Sequence, residues 1–479
     1  MKAEEQNGMR AKEPNGMRAE EYLNILTEQI RCKMARGEVK EEMRAHIEDQ
    51  TRAFMSEGME RSEAERMAVR EMGDPVETGN ELDKIHRPRM PWGMLALIAV
   101  LTVCGYLALY LLDQQMVEAG GETQMYVFGN VQRQLFFTVT GFFVMAGVCF
   151  VDYTRIAERA EWLLAGLIVA AGVGRAFLGL YMNGAQRWIN LGFFTVDIAM
   201  LMLVTVPLYA AILYGYRGEG AKAVLKAVFW MLPGSIMAFT VLSLWMTAVL
   251  LLTYMIIFAI AVYRGWFRIP RKLCLGGVLA AAVLLPAASA LYIWFFSGGE
   301  GSYYRDRLAA MLGLTGEEGV SYTIHFVREW LTGSRLLGGG RNLPDIAAMP
   351  SPNDTVLAWL AGYCGILAAV AVAGLLLFLL LKFFHLSWRQ RNQLGMLMGA
   401  GCSIVFLIQA VIYIFNNLGI FYLGNFCPFL TIGGSGTIIN YVLFGILLSI
   451  CRYRNTAPER RARKVLLKNP IEKNGRMAE

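Results

Sequence analysis

Charge is scarce in this sequence. Only 17% of its 479 residues are Asp, Glu, Lys or Arg, against 56% hydrophobic, whereas an ordinary soluble chain carries about a quarter charged residues. A soluble globular protein is thereby excluded. Cysteine pairing is missing too: the eight cysteines show no paired spacing, and Cys104, Cys149, Cys274, Cys402 and Cys451 lie in or beside apolar stretches. They read as small buried hydrophobes rather than disulfides or metal ligands. No cleavable signal peptide is evident, because the first 90 residues are polar, so the first apolar run is expected to serve as the insertion signal. The formal net charge of +7 does not point to nucleic acid. Its excess lies in short connections and the C-terminal tail, where orientation signals belong.

What the sequence has instead is long apolar runs. Stretches near the length that crosses a bilayer core as a helix fall at roughly 92–113, 134–152, 161–181, 191–214, 225–241, 244–263, 273–297, 355–381, 394–416 and 429–451. The fifth contains Pro233 and Gly234 and reads as a kinked helix. The expected fold is all-α: a polytopic membrane protein with about ten transmembrane helices and a small cytosolic N-terminal helical bundle. Basic residues crowd alternate connections, at Arg155 and Arg159, at Arg217, Lys222 and Lys226, at Arg264, Arg268, Arg271 and Lys272, and at Lys382, Arg389 and Arg391. An even number of spans and these cations place both termini in the cytosol. The long connection 298–354 then faces outward, and a connection of that length is usually functional.

Residues 1–19 repeat NGMRA at 7–11 and 15–19 and are expected to be disordered. Residues 20–88 read as the helical bundle. Leu23, Leu26 and Ile30 form one stripe and Met43, Ile47 and Phe54 another, while Ser62 with Glu65 suggests a capping box and Gly73-Asp74-Pro75 a stop. The "EGM", "SEAE" and "MGDP" segments of this stretch resemble the prefix domain found before some bacterial permease-like proteins. A generic cytosolic adaptor is the equal alternative. Residues 92–452 form the membrane domain and 453–479 a basic cytosolic tail.

Four stretches carry candidate chemistry. "NGAQRWINLG", 183–192, gathers Asn183, Arg187 and Trp188 at the expected start of the fourth span. Trp188 suits an interfacial belt and Arg187 could snorkel to lipid phosphates; the sharper reading is that they bind an anionic, sugar-bearing headgroup. The outward connection holds Asp306, Glu317 and Glu318 among Arg305, Arg307, Arg328, Arg335 and Arg341. A carboxylate ringed by arginines could take a proton from a sugar hydroxyl while Arg335 and Arg341 hold a diphosphate leaving group; solvated surface charge is the commoner reading. Asp354 stands at the expected start of the eighth span, where an N-cap role is the plain alternative. Gly433, Gly434 and Ser435 allow close helix approach near the tenth.

In this order the stretches resemble the SEDS (shape, elongation, division and sporulation) family over residues 92–452. Asn183 through Gly192 is similar to the family's "NGARRWI-LG", and Pro428 through Ile450 to its "PF-SYGGSS…LLLSI" ending. Arg133, Gln134, Asp152 and Tyr153 resemble its second-span pattern, "RLAAML" at 307–312 the start of its catalytic loop, and Asp354 with Gly365 its eighth-span start. The resemblance implies a ten-span glycosyltransferase that polymerises lipid-linked disaccharide-pentapeptide at the outer face of the bacterial cytoplasmic membrane. It further implies a class B penicillin-binding-type transpeptidase and other wall-synthesis or division proteins as partners. It implies no certain cofactor, although a divalent cation is compatible.

The sequence also departs from that pattern. The family's loop Asp-Pro is replaced by Gly316, Glu317, Glu318 and Gly319, and a Glu places its oxygens about 1 Å further out, a displacement that matters for catalysis. The family's "QPSELAK" reads "DIAMLML" from Asp197 to Leu203, its "QPDLGTA" keeps only Thr247 and Ala248, and Gly362 and Tyr363 stand where it has an acidic pair. Three readings stay open at this level: an active polymerase with Glu317 or Glu318 as base, a scaffold or regulator of a wall-synthesis complex that has lost catalysis, and a transporter of a lipid-linked precursor. The last would show paired broken helices, and only one is visible.

Overall fold

The computed structural model describes residues 17–119, 124–182, 185–192, 194–296, 305, 309, 320–424 and 426–454. They fall into two compact units, one within Met1–Met90 and Cys451–Arg460, the other within Pro91–Ile450.

The first unit contains four helices, α1 (Ala19–Gln29), α2 (Lys33–Ser56), α3 (Arg61–Glu71) and α4 (Pro75–His86). Tyr22, Leu23, Leu26, Ile30, Val39, Ile47, Ala68 and Val69 are buried between them, with Met43 and Phe54 packed at the edge. Met17 joins this core, so the end of the segment expected to be disordered, 17–19, is part of the bundle. The capping box does not form. The N-cap of α3 is Glu60 and not Ser62, and the Glu65 carboxylate instead accepts from the Ala19 N–H on α1 (3.1 Å). Asp74 does cap α4, through Val76 N–H (2.9 Å), with Pro75 at the first helical position.

Glu20 on α1 accepts from Lys40 (2.7 Å) and Arg44 (2.8 Å) on α2. These bonds, Lys40's first, hold its carboxyl below the ordinary value. A lowered folded-state pKa contributes stability above the unfolded value that is lost as pH falls through the folded one. Hydrogen exchange of α1 should therefore quicken in acid less in Glu20→Gln than in the wild type. The effect is small, because exposed pairs are worth little.

Within the second unit, ten helices among the described residues are long and apolar enough to cross a membrane: Trp92–Glu118, Val131–Phe150, Ala160–Leu178, Ile198–Gly215, Ala221–Thr240, Leu244–Tyr263, Arg271–Ser289, Ile366–Trp388, Gln393–Asn417 and Gly434–Arg452. Polytopic helical architecture is thus the fold. The fourth, ninth and tenth spans are mostly buried and form its centre, whereas the most apolar window of the seventh buries no residue at all. Pro233 lies inside the fifth helix without ending it.

Close approach between elements relies on small residues. A Cβ at Gly105 on the first span would run into the Phe429 carbonyl, and Phe429 itself holds a left-handed φ of 71°. Gly105→Leu is expected to cost about 1–3 kcal/mol and to lower the melting temperature of the detergent-solubilised protein. An unchanged melting temperature would contradict this contact.

Two features depart from the sequence expectation. The eighth span does not begin at residue 355. A short helix, Val356–Tyr363, comes first, and the span starts at Ile366 after Gly365, whose φ is 107°. The chain breaks there because backbone from the preceding connection lies over it: Ile366 N–H donates to the Arg335 carbonyl (2.8 Å) and Leu367 N–H to that of Leu336 (3.2 Å). These bonds satisfy amides that a helix start leaves without partners. The second feature is an antiparallel sheet between the third and fourth spans, β1 (Gly179–Met182), β2 (Ala185–Asn190) and β3 (Thr195–Asp197), in the order β1-β2-β3. The third span accordingly ends at Leu178 and the fourth starts at Ile198.

Candidate functional site

The sheet builds one part of the site. Its register sets Trp188 on β2 opposite Asp197 on β3, which brings the neighbouring Arg187 to the Asp197 carboxylate. Arg187 Nη2 lies 2.6 Å from Oδ2, and Nε lies 3.0 and 3.1 Å from the two oxygens. The two side chains are 29% and 13% exposed, so salt screens this pair less than a surface one. The Asp197 Oδ1 also accepts from Ala199 N–H (2.9 Å), capping the helix that opens the fourth span.

The tenth-span start is strapped to this frame. Asp197 N–H donates to Ser435 Oγ (3.0 Å) and Gly433 N–H to Gln134 Oε1 (3.0 Å), while Gln134 Nε2 donates to Thr437 Oγ1 (2.9 Å). Side chains at Gly433 and Gly434 would collide with the rings of Phe426 and Phe137. A second part comes from the segments on either side of the short helix and the ninth span. Tyr422 Oη donates to Asp354 Oδ2 (2.6 Å), and Asn417 Nδ2 donates to the Asp354 carbonyl (3.0 Å).

These parts line one cavity of about 1260 Å³, larger than the roughly 300–1,000 Å³ of a typical small-molecule site. It collects Arg187, Trp188, Asp354, Gly433, Gly434 and Ser435, all candidates from the sequence. Arg335 and Arg341 do not line it. Both are exposed on a connection whose backbone pairs with the short helix: Gly338 N–H donates to the Cys364 carbonyl (3.1 Å) and Gly340 N–H to that of Gly362 (2.7 Å). Asn183, Glu317 and Glu318 lie outside the described residues. Asp354 is not the N-cap of a span either. It closes a turn of 3-10 helix, Pro352–Asp354, and its carboxylate faces Tyr422. Among the described residues no group of three His, Cys, Asp or Glu is placed to hold a metal ion.

Sequence reasoning passed over Arg133, Gln134, Asp197 and Tyr422 as site residues, yet all four line the cavity. Arg133 stands exposed at its wall.

A family model described as "Cell cycle protein", that of FtsW, RodA and SpoVE, matches residues 92–456. The chain belongs to the FtsW/RodA/SpoVE family. The match begins beyond the N-terminal bundle. A probable peptidoglycan glycosyltransferase FtsW of Enterococcus hirae is 25% identical over 394 residues, covering 76% of this chain and 95% of that protein. The peptidoglycan glycosyltransferase RodA of Treponema pallidum is 33% identical over 104 residues, 21% of this chain and 24% of that one. Among solved structures, a chain from "Structural coordination of polymerization and crosslinking by a peptidoglycan synthase complex" matches with a TM-score of 0.61 at 20% identity, covering 76% of this chain and 98% of that chain. Rod shape determining protein RodA of Thermus thermophilus matches at 0.52 and 19% identity, over 76% and 97%. These likenesses establish the fold.

Proposed function

We propose that the chain is a peptidoglycan glycosyltransferase that polymerises lipid-linked disaccharide-pentapeptide at the outer face of the cytoplasmic membrane. The observation that carries this reading is the cavity, where the motif residues of a glycan-polymerase family converge although they are scattered over residues 133–435. Arg187 and Arg133 hold the diphosphate. The Asp197 pair uses Arg187 Nε–H and one Nη2–H, and three of a guanidinium's five donors remain for a ligand.

In the reaction an acceptor hydroxyl attacks the anomeric carbon of the donor. The new glycosidic C–O bond forms, the anomeric C–O bond to the diphosphate breaks, and the lipid diphosphate leaves with its charge against the arginines. The hydroxyl proton passes to Glu317 or Glu318. Both termini lie in the cytosol, where the N-terminal bundle binds a regulatory partner, and a class B penicillin-binding-type transpeptidase crosslinks the product. Purified protein supplied with that partner and the lipid-linked precursor should form glycan strands on a gel. Alkylation of a cysteine placed in 298–354 should succeed from outside intact cells, and protection from the reagent would overturn the assigned orientation.

A further inference from the structure

The cavity's polar lining is chemically divided. One stretch offers cations, Arg133 and Arg187, with the Asp197 carboxylate already taken up by Arg187. Another, formed by residues 353–354 and 422–424, offers an amide, a carboxylate and a phenol from Asn353, Asp354 and Tyr422. A diphosphate has use for the first and none for a carboxylate. We propose that Asn353, Asp354 and Tyr422 form the saccharide-recognising wall, with Asp354 accepting hydrogen bonds from sugar hydroxyls and so setting selectivity for the sugar-bearing end of the lipid. This inference deepens the function proposed above and rests on it.

The chemistry suits hydroxyls. A carboxylate offers about four acceptor positions, and the bond from Tyr422 orients that of Asp354. Charge-assisted bonds are roughly twice as strong as neutral ones, and an aromatic beside them covers the apolar face of a sugar ring. The frame is also built for placement. The paired amides at the end of the ninth span hold both segments: Asn417 Oδ1 accepts from Ala358 N–H (2.9 Å), Asn417 Nδ2 donates to the Asp354 carbonyl (3.0 Å), and Asn416 Oδ1 accepts from Leu423 N–H (3.2 Å). Ser351, which leads into the turn, holds a left-handed φ of 48°, a conformation that non-glycine residues adopt only at a cost.

Two probes separate the two parts of the lining: the full lipid-linked disaccharide-pentapeptide, and a polyprenyl diphosphate with no sugar, each titrated against the full-length protein in detergent. Asp354→Asn, near in shape, should weaken the sugar-bearing lipid at least about tenfold while leaving the sugarless one within twofold. Tyr422→Phe should show the same selectivity with a smaller loss, and Asp354→Glu should recover part of it. Arg187→Ala should weaken both probes. Equal loss of both probes in Asp354→Asn, or no loss of either, overturns the inference, as does a wild type that binds neither. Asp354-dependent, sugar-selective binding by a protein that makes no glycan strands upholds it and overturns polymerisation instead.

Discussion

Arg187→Ala is expected to slow glycan polymerisation by about 100-fold or more, the scale on which removing one preorganised charge-stabilising donor acts. The fold should survive. Asp197 keeps its bond to Ala199 N–H through its own carboxylate and its link to Ser435 through its backbone, so the sheet and the tenth-span start remain tied. Arg187→Lys should be intermediate, because an ammonium keeps the charge and loses the planar fork. Two further variants decide between binding and mere bracing. If Arg187 only braced Asp197, then Asp197→Ala would cost as much, and the double variant no more than either single one. The diphosphate role predicts a milder loss in Asp197→Ala, with the cationic side chain still in the cavity, and a full loss in the double variant. Product length and rate on a gel, at two salt concentrations, provide the measurement.

Removing the proton acceptor should be at least as severe. General bases contribute about 10²–10⁴-fold, so one of Glu317→Ala and Glu318→Ala should lose about 100-fold or more in kcat while the other stays within a few-fold. The Glu→Asp change at the sensitive position should also cost rate, since displacement by about 1 Å spoils a near-attack geometry. Binding of the lipid-linked precursor should persist in all of these, because the proposed diphosphate contacts are Arg133 and Arg187. Full activity in the double alanine variant would remove both glutamates from the chemistry.

Much of the fold could be read from composition alone. An apolar run of bilayer length dictates a helix with no need for periodicity, and the ten runs fall on the ten spanning helices of the structure. Where the reading failed, hydropathy was blind to the cause. Val356–Tyr363 is as apolar as a span but only eight residues long; what separates it from Ile366 onward is a backbone break at Gly365, set by a connection that folds over it. Apolar patterning of a membrane-type sequence points to helix and connector and hides the sheet. Its signal was present: Asn183-Gly184 between β-prone residues is a strong hairpin pattern.

The site was legible in part for the same reasons. Arg187, Trp188 and the Gly433–Ser435 run announce themselves as polar or small residues at span ends. Asp197 does not, because its role depends on the pairing of β2 with β3, and an acidic residue at a helix start reads as a cap, which it also is. The link between Tyr422 and Asp354 joins residues 68 positions apart and has no local pattern at all. Arg335 and Arg341 looked like diphosphate ligands by charge, but the backbone bonds of their connection keep them on its exposed surface.

The most direct measurement is polymerisation itself. Full-length protein, purified with the proposed transpeptidase partner and given lipid-linked disaccharide-pentapeptide, should yield long glycan strands that Arg187→Ala reduces to a trace. A wild type that binds the precursor and makes no strands under conditions where another member of the family does so would contradict the account.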